Sequence, residues 1–586
     1  LLFNTGEVDL ALKYFDKAIE IQPNFILAYF NKGIILNSQK KYQDAVKCFE
    51  KVIEIDPKNI NAYNVLGIIL QEIGEFRKSL SYLKKSIEIS PNDLRVVNTL
   101  LNLLRSIKLS NLSDKNSSEL VELFIFLFNK DTIDHNELFN NARNLIFFQD
   151  DQINFENLLK SGVSLLSDKD IKKILNKKLF HLLLQKSLVR DKFLEKFLYL
   201  IRKEILLQIH NKENSIKELY DFIASNAEQS FLNEYVVFQS DMEIKIINDL
   251  KTKVENDKTI NELEILILAC YLPLNSSKII NNKLINYISE SPLFNDLIKL
   301  HIKDPLKEAE LKKSINSFDD ISDNVSKKVK EQYEENPYPR WRYTNITPKN
   351  NFLSILNNAI RPNKINTNNQ NIAENVLIAG CGTGQQLVSK TSYANSNIVA
   401  IDLSLSSLAF AKRKMQELDQ KNIEFLQGDI LGLNSLNKKF NVIECVGVLH
   451  HLKNPDEGLR ILLNILEPKG YLKLGLYSEY ARKHIVKLKE FVKKNNFQTN
   501  ITDIRNFREF AKNNSKENSF QKINLNFDFY STSSVRDLIF HVQEHRYTLP
   551  KIENLLKKFD LEFLGFTNSI IKKEYSKIYP EDLKNT

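Results

Sequence analysis

The fold is decided by residues 376–384, which read VLIAGCGTG. The apolar first half is typical of a strand that is buried on both faces. The glycines that follow let the backbone turn tightly and approach a ligand closely. A helix that starts at Gln385 would add free N–H groups at the same point. The stretch therefore predicts a strand, a ligand-binding turn and the start of a helix.

Two acidic residues follow at the ends of later strands. Residues 397–402 read NIVAID and predict a second strand that ends in Asp402, and residues 423–427 predict a third strand that leads to Asp429. A carboxylate at the first position can bind ribose hydroxyls, and one at the second can accept a hydrogen bond from an adenine amino group. A nicotinamide dinucleotide fingerprint requires a further glycine at position 385, where this chain has Gln385.

Further strands alternate with helical runs along the rest of this region. We expect a fourth strand at residues 440–445, a fifth at 470–477 and a sixth at 561–566. Such alternation predicts an α/β, Rossmann-like doubly wound parallel sheet with its ligand at the carboxyl edge of the strands.

At residues about 370–480 these motifs together resemble the class I S-adenosylmethionine-dependent methyltransferases. The resemblance implies S-adenosylmethionine as the cofactor, Asp402 as the ribose-binding acid and Asp429 as the adenine-side acid. One position departs from the family pattern, because many members carry an acid where this chain has Ile378. The cofactor-binding residues that the resemblance implies are Gly380, Cys381, Gly382, Thr383, Gly384, Gln385, Asp402, Leu403, Asp429, Ile430 and Val446.

The segment VLHHL, residues 448–452, follows the fourth strand and resembles the part of the family fold that borders cofactor and substrate. An unperturbed histidine titrates near neutral pH, so His450 or His451 is our candidate for a catalytic base. The alternative is that both histidines only shape the pocket.

Residues 336–341 read NPYPRW and contain the single tryptophan of the chain, Trp341. This stretch resembles one in bacterial proteins that join tetratricopeptide repeats to a methyltransferase domain. We expect it to cap the cofactor pocket, with Tyr333, Tyr338 and Arg340 as hydrogen-bond donors and Trp341 packed against the sheet domain. The alternative is a rigid linker that is anchored by its aromatic side chains.

An insertion at about 480–548 is expected to cover the substrate, and Ser533 or Ser534 is expected to cap the helix that ends it. Its polar residues line the substrate cavity or bond to one another. The substrate-side candidates are Tyr477, Arg536, His541, Glu544 and His545. The last three also match the HxxEH pattern of inverzincin metalloproteases. Because Thr548 and Pro550 interrupt that helix early, we expect no metal site.

An internal repeat occupies the start of the chain. Pro23, Pro57 and Pro91 follow one another at intervals of 34 residues, and small and aromatic residues keep the same period. This period resembles the tetratricopeptide repeat, a pair of antiparallel helices. The resemblance implies that the stack binds a protein or peptide, with spacing or dimerisation of the chain as the alternative. The first unit is incomplete, so we expect further repeats before Leu1.

Composition restricts the remaining possibilities. The 586 residues carry a net charge of +9 without a compact basic block, so nucleic acid is not the expected partner. The longest apolar run, residues 265–274, is too short for a bilayer, which needs ~20 residues. The four cysteines lie far apart, which argues against a disulfide scaffold. We expect a cytoplasmic protein.

These patterns divide the chain into three parts: tetratricopeptide repeats at 1–105, an α-helical region at 106–325, and a methyltransferase domain at 326–586. The predicted function is methyl transfer to a protein or peptide docked by the repeats. The alternatives are a small-molecule methyltransferase that uses its repeats for assembly, and a non-catalytic cofactor-binding scaffold. The sequence leaves open the methyl acceptor, the partner of the repeats and the oligomeric state.

Overall fold

The computed structural model describes residues 7–107, 117–147, 164–211, 214–346, 349–365, 374–390, 393 and 395–578. These residues form two compact units. One lies within residues 1–155 and 173–187, and the other within residues 156–172 and 188–586.

The first unit opens with six helices that keep the 34-residue period. They are Val8–Ile21, Ile26–Ser38, Tyr42–Ile55, Ile60–Glu72, Phe76–Ile89 and Leu94–Ser106. Glycine is required where the two helices of a repeat meet. A Cβ atom at Gly33 would lie 2.8 Å from the Phe49 ring, and one at Gly67 would lie 2.5 Å from Leu83. The predicted repeat architecture is confirmed.

Further helices follow in both units. Those before the sheet are Ser117–Phe128, Phe139–Phe147, Lys169–Leu175, Lys178–Lys186, Lys192–His210, Tyr220–Leu232, Asp241–Asn256, Glu262–Ala269, Lys278–Leu284, Pro292–Ile298, Asp304–Lys312 and Asn324–Glu335. None of the helices in the described part of the chain is long and apolar enough to cross a membrane.

Six parallel strands form the sheet of the second unit, in the order β1-β4-β3-β2-β5-β6. They are β1 Asn316–Ser317, β2 Asn375–Ala379, β3 Asn397–Asp402, β4 Ile423–Gln427, β5 Phe440–Val446 and β6 Leu466–Gly475. Because every strand runs the same way, all the carboxyl ends meet at one edge. The predicted doubly wound fold is confirmed.

The alternation of side chains along β2 explains its unbroken apolar run. Val376 and Ile378 pack into one core with the helix Leu405–Glu417, whereas Leu377 and Ala379 pack into a second core with the helix Pro455–Asn464. A strand with helices on both faces needs apolar residues at every position. The remaining helices of this region are Phe352–Ala359, Gln385–Lys390, Lys483–Lys494, Ile501–Asn513, Asn518–Asn524, Thr532–Phe540, Leu549–Lys558 and Ser569–Ile578.

The predicted sixth strand at 561–566 is wrong. These residues are irregular, and the carbonyl of Leu564 accepts a hydrogen bond from the Asn363 side chain instead of from a neighbouring strand. The strand that brings the number to six is β1, at the other edge of the sheet. There the Phe318 N–H donates to the Gln427 carbonyl at 3.0 Å. The fifth predicted strand also shifts, since β6 begins at Leu466 and ends at Gly475.

The end of the insertion also differs from the prediction. Ser531, not Ser533 or Ser534, caps the helix Thr532–Phe540 by accepting the N–H of Ser534. That helix stops at Phe540, so His541 and His545 lie beyond it and do not share a helix face. The HxxEH pattern is therefore not presented by a helix.

Helices before the sheet and helices of the insertion share one core. Val236 and Val237 pack with Ile485, Phe507 and Phe529. A buried ion pair lies beside this core. The fully buried Arg508 guanidinium is 2.6 Å from a Glu195 oxygen, and Lys512 contacts the other oxygen. Burial works against ionisation of Glu195, but Arg508 and Lys512 outweigh it and hold the pKa of this carboxyl at about 2.

Replacing Glu195 by alanine should destabilise the second unit by about 3 kcal/mol, because it leaves the buried Arg508 charge without its partner. The measurement is urea denaturation followed by the emission of Trp341, which lies in the same unit. The wild-type pKa of Glu195 is depressed in the folded state, so its contribution is complete above pH 4.5 and is lost as the pH falls towards 2.

Glu509→Ala is the matched control. Glu509 also pairs with Lys512, at 2.6 Å, but its side chain is 36% exposed, so its removal should change stability by less than about 1 kcal/mol. Equal losses in the two variants would contradict the importance of the buried pair.

Candidate functional site

The glycine turn after β2 takes a backbone path that favours glycine. Gly380, Gly382 and Gly384 have φ angles of +75°, +51° and +81°. A Cβ atom at Gly380 would lie 2.3 Å from Val448. The carbonyl of Ile401 accepts the N–H groups of both Gly380 and Cys381, each at 2.9 Å. The turn is thus fixed against the end of the neighbouring strand, β3.

Asp402 joins that strand end to the turn. Its Oδ2 accepts the Gly382 N–H at 2.8 Å, and its Oδ1 accepts the Ser404 N–H at 2.9 Å. Burial raises the pKa of Asp402 to about 6; these two N–H groups oppose the shift, and the nearby Glu334 charge adds to it. The next residue, Leu403, turns its carbonyl towards the Gln427 side chain, which donates at 2.9 Å.

Asp429 lies at the same edge, after the adjacent strand β4. It is buried, and its Oδ1 accepts the Leu431 N–H at 3.1 Å, which starts a 3₁₀ turn at Ile430. Burial also raises the pKa of Asp429. The structure therefore places both predicted acids at the carboxyl ends of neighbouring strands.

The other cofactor candidates surround the turn. Cys381 and Thr383 are buried, Gln385 begins the helix Gln385–Lys390, and Val446 ends β5. Burial raises the pKa of the Cys381 thiol, which keeps it protonated. Ile378 is buried in the core below the turn.

The NPYPRW stretch packs directly on the glycine turn. The indole N–H of Trp341 donates to the Thr383 carbonyl at 3.1 Å, and the Thr383 hydroxyl donates to the Pro339 carbonyl. The carbonyl oxygen of Tyr338 lies 2.8 Å from the place that a Cβ atom of residue 382 would take. Only glycine fits at position 382 beneath this segment.

Arg340 does not lie at the turn. Its guanidinium pairs with Glu234 at 3.3 Å and lies 5.5 Å from the centre of the Phe231 ring. Tyr338 contacts the insertion instead, and its hydroxyl donates to Asp528 at 3.3 Å. The structure thus brings Tyr338 to the covered edge and places Arg340 against the helical region.

The two candidate bases lie in a short 3₁₀ turn after β5, Leu449–His451. The His450 ring is fully buried and stacks on Tyr477 with ring centres 3.8 Å apart. Neither nitrogen of this ring has a well-formed hydrogen bond with any described residue. Burial, followed by the neighbouring His451, lowers the pKa of His450 to about 2. His450 is therefore neutral at physiological pH.

His451 stands in a second environment, stacked on His541 with ring centres 3.6 Å apart. Its Nδ1 donates to the Gln543 carbonyl at 2.7 Å. Asp537 lies beside the two rings and accepts the Tyr333 hydroxyl at 2.5 Å. Burial lowers the pKa of both histidines. We call the set His451, Asp537 and His541 the His–Asp–His cluster.

Residues 541–547 cross the carboxyl ends of the last two strands. The His545 N–H donates to the His450 carbonyl and the Tyr547 N–H to the Tyr477 carbonyl, both at 2.8 Å. The side chain of His545 contacts Gln543 at 3.1 Å. This segment therefore covers the side of the sheet edge that lies away from β3, the strand next to the glycine turn.

Glu544 and Arg536 help to hold the segments that cover the site in place, and their side chains do not enter the His–Asp–His cluster. Glu544 accepts hydrogen bonds from Arg482 at 2.5 Å and Lys489 at 2.8 Å. Burial opposes its ionisation, but these two cations hold the pKa of Glu544 at about 2. Arg536 pairs with Glu335 at 2.6 Å, next to the NPYPRW stretch.

Sequence reasoning missed Asp537 and Gln543. The Asp537–His541 spacing of one helical turn was visible in the sequence, but a single acid on a predicted helix is no signal by itself. Gln543 contributes its main-chain carbonyl, and a residue's type does not indicate such a role. Glu334 was also missed; its carboxylate accepts the N–H groups that begin the helix Leu405–Glu417.

A surface depression of about 770 Å³ lies at the opposite edge of the sheet. It is lined where the strands begin, by residues that include Asn375, Asn397, Ile423 and Phe440. None of the predicted site residues lines it. The chemistry-bearing side chains gather at the carboxyl edge instead.

Comparison with known families agrees with this architecture. Residues 371–523 match the model of a methyltransferase domain, and residues 1–25, 26–59 and 48–80 match tetratricopeptide-repeat models. The chain therefore joins tetratricopeptide repeats to a methyltransferase domain, as the sequence motifs predicted. A methyltransferase domain agrees with S-adenosylmethionine, the cofactor that the sequence motifs predicted.

Individual relatives cover smaller parts of the chain. An uncharacterized protein from a Synechococcus species is 29% identical over 204 residues, 33% of this chain and 48% of that protein. Demethylmenaquinone methyltransferase from Lactococcus lactis is 31% identical over 100 residues, 16% of this chain and 38% of that enzyme. The structure of PKMT2 from Rickettsia typhi in complex with AdoHcy has 20% identity and a TM-score of 0.32, over 41% of this chain and 50% of that one. The chain spans half or less of the length of each of these three proteins.

The raised pKa of Asp402 predicts that cofactor binding depends on pH. A neutral carboxyl group accepts the ribose hydroxyls less strongly, so affinity for S-adenosylhomocysteine should fall by about tenfold as the pH drops below 6. Titration of the product, followed by Trp341 emission and checked by calorimetry, measures this change.

Asp402→Asn should bind weakly and with a shallower pH profile than the wild type, because no carboxylate titrates at that position. Asp456→Asn, a change on the helix Pro455–Asn464 outside the site, should keep the wild-type profile. A pH profile in Asp402→Asn as steep as that of the wild type would contradict the assignment.

Proposed function

We propose that this chain transfers a methyl group from S-adenosylmethionine to a protein or peptide that its repeats bind. The observation that carries the proposal is the Asp402 carboxylate, which is held by the Gly382 and Ser404 N–H groups at the carboxyl edge of a parallel sheet. A carboxylate fixed in this way is positioned to accept the two hydroxyls of a ribose.

The residues at this edge fit the cofactor. Three glycines with left-handed backbones bring main-chain atoms to the surface of the turn, and a second acid, Asp429, follows the adjacent strand. We assign the ribose to Asp402, the adenine to Asp429 and Ile430, and the methionine portion to the turn. When bound, the cofactor supplies an activated methyl group on a sulfonium centre.

Ile378 leaves the amino group of the cofactor without the acid that many family members provide. Tyr338 is our candidate replacement on the covering segment, since its carbonyl stands over Gly382 and its hydroxyl contacts Asp528. Burial raises the pKa of Asp528, and this carboxyl offers a further acceptor on that side. We assign Tyr338 and Asp528 to this end of the pocket.

The His–Asp–His cluster forms the acceptor end of the site. Methyl transfer requires a nucleophile with a free lone pair held about 3 Å from the methyl carbon, and a proton that the nucleophile carries must leave. His450 is enclosed by its own packing against Tyr477, so we assign it a structural role. The cluster offers an imidazole and a carboxylate in one buried place, where an acceptor can be oriented.

The repeats supply the reason for preferring a protein or peptide acceptor. Leu27 and Ile68 are apolar and exposed on the first helices of two successive repeats, with exposures of 62% and 36%. Apolar side chains exposed along a repeat stack suit a bound peptide. A small-molecule acceptor is the second candidate, because residues 541–547 and the NPYPRW stretch both cover the site.

Labelling a host lysate with methyl-labelled S-adenosylmethionine distinguishes these acceptors. The full chain should label a protein, and the double variant Leu27→Asp, Ile68→Asp should lose most of that labelling while it binds S-adenosylhomocysteine as the wild type does. The measurement is mass spectrometry of labelled protein and of the small-molecule fraction.

Ile21→Asp provides the control, because Ile21 is 77% exposed on the other helix of a repeat. This variant should label as well as the wild type. Label confined to small molecules, or labelling of protein that is indifferent to Leu27 and Ile68, would contradict docking by the repeats. Absence of S-adenosylhomocysteine binding would contradict the enzyme itself.

A further inference from the structure

The His–Asp–His cluster brings together three side chains of the kinds that ligate metals. One ligand atom each from His451, Asp537 and His541 lies within 4.8 Å of the others. The exposures of the three residues are only 7%, 5% and 6%. They come from separate parts of the chain, namely the turn after β5, the last helix of the insertion and the residue that follows it.

Two of these side chains are held from outside the cluster. The Gln543 carbonyl accepts the Nδ1–H of His451 at 2.7 Å, which fixes the tautomer and leaves the lone pair on Nε2. The Tyr333 hydroxyl donates to one oxygen of Asp537. A ligating histidine that donates its other N–H to a carbonyl, and a ligating carboxylate that accepts a hydrogen bond, are the usual support of protein metal sites.

The polar atoms on the inner side of the cluster are not all hydrogen-bonded to other members of the cluster. His541 Nε2 is buried and has no hydrogen-bond partner among the residues that the structure describes. Its Nδ1 only receives a long hydrogen bond, 3.3 Å, from the Gln543 N–H. Buried polar atoms are nearly always paired, so an unpaired nitrogen beside a carboxylate and a second imidazole indicates a missing ligand.

We propose that His451, Asp537 and His541 bind a divalent first-row transition metal ion. Two imidazoles and one carboxylate suit Zn²⁺, Co²⁺ or Fe²⁺, whereas Mg²⁺ and Ca²⁺ prefer oxygen ligands alone. Coordination through Nε2 of His541 moves its proton to Nδ1 and gives up the long contact with Gln543. Three protein ligands leave a position open for water or for another oxygen ligand.

This site is not the HxxEH motif of the sequence. Glu544 is engaged by Arg482 and Lys489, and the His545 side chain contacts Gln543 outside the cluster. Two of the three ligands, His451 and Asp537, lie far apart in sequence and meet only in the fold. With an ion bound, His451 is a ligand, and an acceptor hydroxyl at the open position would lose its proton to solvent more readily. Binding of the ion itself does not depend on methyl transfer.

Titration with Co²⁺ tests the proposal on the full chain, purified without a histidine tag and freed of metal by a chelator. The readout is the visible absorption of protein-bound Co²⁺, followed by its displacement with Zn²⁺. We expect one equivalent to bind, and affinity to fall by at least about tenfold in His541→Ala and in Asp537→Asn.

His545→Ala is the matched control, because it removes an imidazole from the same segment outside the cluster. It should bind Co²⁺ as the wild type does. Circular dichroism checks that each variant is folded. If His541→Ala does not fold, Asp537→Asn, which keeps the size of the side chain, provides the test. A wild type that binds no Co²⁺, binding that survives in the folded cluster variants, or an equal loss in His545→Ala would each overturn the proposal.

Discussion

The hydrogen bond from the Gly382 N–H to the Asp402 carboxylate, 2.8 Å long, is the contact on which the rest of the site depends. It ties the turn after β2 to the end of β3, and these two strands are neighbours at the centre of the sheet. The same turn supports the NPYPRW stretch through Thr383, which accepts the Trp341 N–H and donates to Pro339. Because one carboxylate organises both the turn and its surroundings, a change there affects ligand binding and the covering segment together.

Covering the carboxyl edge requires charged side chains to be buried, and the fold compensates two of them with partners of opposite charge. Glu544 is matched by Arg482 and Lys489, and Arg536 is matched by Glu335. The His–Asp–His cluster differs, since its inner atoms face one another and one nitrogen lacks a partner among the described residues. The contrast between compensated charges around the site and an uncompensated group inside it is what marks the cluster as a place for a ligand.

Sequence patterns predicted the parts of the fold that depend on short-range order. The 34-residue period gave the repeats, and the apolar run before Gly380 gave β2, because a strand packed on both faces must be apolar throughout. Residues 561–566 have a similar apolar character but pair with no strand, and β1, with two residues, carries no pattern at all. The acids of the proposed cofactor site, Asp402 and Asp429, lie at or just after strand ends, and this placement was predictable. The cluster was not, because His451 and Asp537 meet only once the insertion folds over the sheet edge.

Hydrogen–deuterium exchange with and without S-adenosylhomocysteine tests the central claim that the carboxyl edge under the NPYPRW stretch is the cofactor site. We expect slower exchange in residues 380–385, 402–404 and 336–341, and no change in residues 421–424 and 438–440 around the opposite depression. Protection of the opposite edge, with the glycine turn unaffected, would contradict it.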